Sequence, residues 1–93
     1  EQCDLIICLS HLGYDYENPQ KVSDRSLARS TKDIDLIIGG HTHTFLNEPT
    51  VETNVIGKSV LVNQVGCYGL YIGKVDFYLE PKGTFFSSQS LRV

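Results

Sequence analysis

Methionine is missing from all 93 residues, including the first, which is Glu1. A chain that starts almost directly on strand-like sequence is expected to be a mature product or a piece of a larger protein. The lack of a targeting segment is then uninformative, because such a segment would lie upstream. Basic residues are few: eight Lys and Arg against eleven Asp and Glu, for a net charge of −3. They are spread along the chain and build no basic face, which argues against a nucleic-acid partner. Long apolar runs are absent too. The longest, "LIICL", is far too short to cross a bilayer as a helix, so the chain carries no membrane segment of that kind. The three cysteines, Cys3, Cys8 and Cys67, form neither a CxxC pair nor a disulfide-rich framework. Cys8 lies in an apolar run and reads as a small buried hydrophobe. A Cys3–Cys67 pair stays open, and the redox compartment with it.

What is present suits one small globular domain: 41% hydrophobic and 20% charged residues, with no repeat or low-complexity tract. The first strong element is "CDLIICLSH", whose continuous hydrophobicity suggests a strand covered on both faces. A loop follows through Gly13, Asn18 and Pro19. Ser23 then offers a helix N-cap, with Asp24 in the first turn where the helix dipole favours negative charge. "DLIIGG" is a second buried-type strand. These signals predict parallel strands at residues 4–9 and 35–38, joined by a helix at 24–32 held by Leu27, Ala28 and Ile34, in a right-handed βαβ unit. Farther on, "SVLVNQV" and "YIGKVDFYLE" are separated by "GCYG", too short for a helix, which predicts an antiparallel hairpin over 60–79. "VIGK" marks a turn before it, and "TFF" could add one more edge strand. The predicted class is α/β, a βαβ unit followed by an antiparallel β-hairpin.

All three histidines fall at or just beyond the carboxyl end of a predicted strand: His11 after "LIICLS", His41 and His43 after "LIIGG". In parallel sheets ligands bind outside those ends. A lone histidine there is more often a surface or hydrogen-bonded residue, and HxH alone is weak. The conjunction of "SHLG" and "GGHTH", with no histidine elsewhere, points to a metal site in which the three imidazoles converge. Gly39 and Gly40 would let the backbone turn sharply and bring His41 close to an ion. In an extended segment His41 and His43 would project to one side about 6–7 Å apart, a spacing that suits two ions about 3.5–4 Å apart. Thr42 between them either hydrogen-bonds a neighbour or fills space. Imidazole favours Zn, Mn or Fe over Ca or Mg. Asp15 and Glu17 read as solvated loop acids, while Asp33 and Asp35 precede the second strand, at its far end. The remaining ligands are expected outside these residues.

From Asp4 to Phe77, "LSHLGYD", "DIDLIIGGHTHTFL" and "VLVNQVGCYGLYIGKVDF" together resemble the calcineurin-like metallophosphoesterases, specifically the 5'-nucleotidase branch. The resemblance implies that residues 1–93 are the C-terminal portion of a catalytic domain, part of a metallophosphatase α/β sandwich. It implies that His11 and His41 bind one ion of a pair and His43 reaches the other. It implies two divalent ions, Zn or Mn with Fe as a further option. In this family they present a metal-bound hydroxide to a nucleoside monophosphate or related phosphoester. The family's N-terminal DxH, GDxxD and GNHE motifs have no counterpart here. The bridging aspartate, the asparagine ligand and the leaving-group histidine would thus come from a missing N-terminal half. The fragment alone is expected to be inactive, with no catalytic residue of its own. A periplasmic or extracellular location is implied by the resemblance alone. The rival reading is a non-catalytic metal-binding or assembly module, in which Cys67 could close a zinc site only by folding back onto the histidines.

Overall fold

The apolar triplets "ICL" and "LII" become short neighbouring strands in the computed structural model, which describes residues 2–93. Strand β1 (Ile7–Leu9) pairs in parallel with β2 (Leu36–Ile38), Ile7 opposite Leu36 and Leu9 opposite Ile38. Both strands begin later than predicted. At their start Asp35 turns its carboxylate to accept from the Ile6 amide at 2.8 Å, and the Ile6 carbonyl accepts from the amides of both Asp35 and Leu36. That local knot replaces the first rungs of a regular ladder.

Helix α1 (Asp24–Ser30) makes the crossover. Ser23 caps it as predicted. Its hydroxyl accepts from the Ser26 amide while the Ser26 hydroxyl accepts from the Ser23 amide, a reciprocal box that satisfies two amides with no intrahelical partner. The helix stops at Ser30 rather than Lys32. The Ser30 and Thr31 hydroxyls donate back to the Ser26 and Leu27 carbonyls, and Thr31 is already extended.

The main correction concerns the predicted hairpin over 60–79. Strand β4 (Ser59–Asn63) lies parallel to β2 on one side and antiparallel to β3 (Thr50–Thr53) on the other, giving the order β1-β2-β4-β3. With both edges taken, β4 has nothing to offer the next segment. Strand β5 (Tyr71–Glu80) pairs instead with β6 (Gly83–Arg92), a hairpin closed by a turn between Glu80 and Gly83. The "TFF" segment is therefore one arm of a ten-residue strand. The class holds: a βαβ unit, a mixed sheet and an antiparallel hairpin.

The core lies between α1 and one face of the sheet, where Ala28, Ile37, Val60 and Val62 are buried and Cys8, Tyr14, Leu27 and Ile34 pack around them. On the opposite face Leu36 and Leu61 are buried, and β5 crosses the end of β4 so closely that Gly73 leaves no room for a side chain beside Asn63 and Val65. Strand β1 fails the expectation of cover on both faces. It is the edge of the sheet, and Ile7 and Leu9 remain 50% and 79% exposed. All three cysteines are free.

Candidate metal centre

The parallel pairing brings the carboxyl ends of β1 and β2 side by side, and the Ser10 amide continues the ladder to the Ile38 carbonyl. His11 and His41 thus leave the sheet next to each other. His11 Nε2 and His41 Nδ1 stand 3.3 Å apart, with ring centroids 5.0 Å apart and planes at 67°. Two nitrogens each about 2.0–2.1 Å from one tetrahedral ion lie about 3.3–3.4 Å from each other. The pair therefore has the bite of two ligands on one centre. Without a cation the two rings can share a proton, which requires at least one of them to be neutral.

The backbone reaches this arrangement by a different route from the one the sequence suggested. Neither Gly39 nor Gly40 takes a positive φ; His41 and His43 do, at 72° and 54°. The Thr42 amide donates to the Gly40 carbonyl at 2.9 Å, a γ-turn centred on His41 in its rare, strained form. The segment is bent, so the spacing argument from an extended chain does not apply. The glycines serve close approach. A methyl group on Gly39 would overlap the Asp24 carboxylate, and one on Gly40 would stand 3.3 Å from Nδ1 of His11.

Strain of this kind persists only where neighbours over-determine it. Thr42 supplies part of that hold. Its hydroxyl oxygen accepts from the Tyr14 amide at 3.0 Å and shares a hydrogen bond with the Thr44 hydroxyl at 2.8 Å, tying the loop after β1 to the loop after β2. Gln64, buried at the end of β4, accepts from the Thr44 amide at 2.6 Å. The His43 ring lies beside Tyr68, centroids 6.3 Å apart and planes at 58°. Among the described residues no three His, Cys, Asp or Glu side chains cluster as around a single ion. Asp15 is engaged elsewhere, in an ion pair with Arg25 at 2.9 Å, as suits a loop acid.

Sequence reasoning missed Asp24, Ser10, Gln64 and Tyr68. A polar pair, Asn63-Gln64, closing an apolar run was the one available signal. Asp24 was read only as a first-turn acid, yet it is fully buried, and the Ser10 hydroxyl donates to its Oδ1. Burial lifts its carboxyl above the ordinary 3.8, with the Ser10 hydrogen bond pulling the other way.

A crystal structure of a 5'-nucleotidase precursor from Thermus thermophilus superposes with a TM-score of 0.79 at 32% identity, over 96% of this chain and 19% of that one. The chain is similar to one segment of the 5'-nucleotidase branch. A trifunctional nucleotide phosphoesterase protein of Bacillus subtilis is 37% identical over 97% of this chain and 6% of its own length. A snake venom 5'-nucleotidase from Gloydius brevicauda is 30% identical over 89% of this chain and 15% of its own. The chain thus spans less than a fifth of each of these three relatives. No family model matches it.

Proposed function

We propose that these 93 residues are the C-terminal portion of the catalytic domain of a dinuclear metal-dependent 5'-nucleotidase acting on nucleoside monophosphates or related nucleotides. The observation that carries the reading is the 3.3 Å approach of His11 Nε2 to His41 Nδ1 at two adjacent strand ends. His11 and His41 would hold one ion and His43 would contribute to a second, with Zn or Mn the best match to imidazole and Fe a further option. Bound there, the ions would polarise the phosphate and offset its developing charge. The chain's own residues do the holding. Thr42 and Gln64 fix the loop, and the glycines let Asp24 and His11 close in on the backbone. The remaining ligands and the group that protonates the leaving oxygen would come from a preceding N-terminal half. The names of the relatives support a nucleotide substrate, and the venom enzyme among them supports an extracellular or periplasmic setting.

The test is phosphate release from a nucleoside monophosphate by the longer polypeptide that carries this chain. Chelation should abolish turnover and Zn or Mn should restore it. His41→Ala should lower it by about 10²-fold or more, since one ion loses a direct ligand. Asp15→Ala should leave it within a few-fold. The 93 residues alone should release no phosphate. Turnover indifferent to chelation, or robust turnover by this chain alone, would contradict the proposal.

A further inference from the structure

We infer that Asp24 is a positioning residue that sets the spacing of His11 and His41, an inference that rests on the metal-site reading above. The helix start does not need it, because Ser23 and Ser26 already cap each other's amides. A first-turn acid serving only the helix dipole would sit in water, whereas Asp24 is wholly buried. Its carboxylate instead reaches both ligand-bearing strand ends. Oδ1 accepts from the hydroxyl of Ser10, the residue immediately before His11. Oδ2 lies against Gly39, two residues before His41, and has no hydrogen-bond partner among the described residues. The Asp24 amide donates to the Gly13 carbonyl at 2.8 Å, so the same residue also ties down the loop after His11.

The arrangement is directional. On the near side of the Gly39-Gly40 backbone stands Asp24, and against Gly40 stands the His11 ring. If the carboxylate is removed, Ser10 loses its acceptor and Gly39 loses the group it rests on. The two strand ends can then move independently, and the ring pair should open. Asn has the same shape and can still accept from Ser10, so it should preserve the spacing.

The experiment uses the full chain labelled at histidine, with two readouts. One is the nuclear Overhauser contact between the His11 and His41 rings without metal, and the other is zinc affinity by competition with a chromophoric chelator. Asp24→Ala should lose the ring contact and weaken zinc at least about tenfold, as expected for a residue that orients ligands. Asp24→Asn should retain the contact and bind within about threefold of the parent. Glu52→Gln is the stability control, because Glu52 is a buried carboxylate paired with Arg25 away from the histidines. It should leave both readouts unchanged. Should Asp24→Ala fail to fold, Ser10→Ala removes the same hydrogen bond from the other side and should loosen the ring contact and weaken zinc. Intact spacing in Asp24→Ala, or in Ser10→Ala where the first does not fold, overturns the inference. So does a zinc loss in Glu52→Gln equal to that in Asp24→Ala. The ring contact is read without metal, so it decides the role of Asp24 whether or not the metal reading stands.

Discussion

At the residue scale, two adjacent glycines do different things. A methyl group on Gly39 meets a buried carboxylate pinned by Ser10, which has nowhere to go. Gly39→Ala should therefore destabilise the chain by about 1–3 kcal/mol, read from urea midpoints. On Gly40 the neighbour is the His11 ring, which can shift by a few tenths of an ångström. Gly40→Ala should alter stability by less than about 1 kcal/mol yet weaken zinc about tenfold in a chelator competition. Asp24 adds a pH signature. Its carboxyl is raised by burial, so between the unfolded value near 3.8 and the higher folded value the native state binds more protons. Stability should fall as pH rises through that window. Asp24→Asn should remove that slope, and unfolding curves at several pH values would report it. The histidines themselves were legible in the sequence because their residue types and places at strand ends carry chemistry. The left-handed turn at His41 and His43 was not, because nothing in "HTH" announces a positive φ where glycine would ordinarily stand.

At the scale of elements, local signals were read well and pairings less so. The Ser23 cap, the turn at Gly57 and the parallel placement of β1 and β2 follow from side-chain chemistry and from continuous hydrophobicity. The neighbours of β4 do not. "TVET" is polar enough to pass for loop, yet it forms an edge strand whose antiparallel register buries Glu52 against Arg25 at 2.6 Å. The run Val60-Leu61-Val62 is buried at every position in the structure, as suits a central strand and not the hairpin arm the sequence predicted. The stability contrast between the two sheets is testable. Ile37 is wholly buried beneath α1, and Ile37→Ala should cost about 2–5 kcal/mol. Leu79 on β5 is half exposed, and Leu79→Ala should stay within about 0.5 kcal/mol in the same thermal or urea unfolding experiment.

For the whole molecule, the mismatch between apolar surface and burial is informative. Ile7, Leu9 and Ile38 stay exposed on the face of β1 and β2 that looks towards β5, and a cleft of about 330 Å³ remains between sheet and hairpin. Their hydrophobicity made the sequence read as a strand covered on both faces, whereas β1 is an exposed edge strand. The three relatives named above are each about five or more times longer than this chain. The central claim is that His11 and His41 hold one ion together. It is tested most directly by anomalous diffraction at the zinc edge from crystals of the longer, zinc-loaded polypeptide. The expected result is a peak about 2.0–2.1 Å from both His11 Nε2 and His41 Nδ1. Zinc bound elsewhere, with the two histidine rings still facing each other and no peak between them, would contradict it.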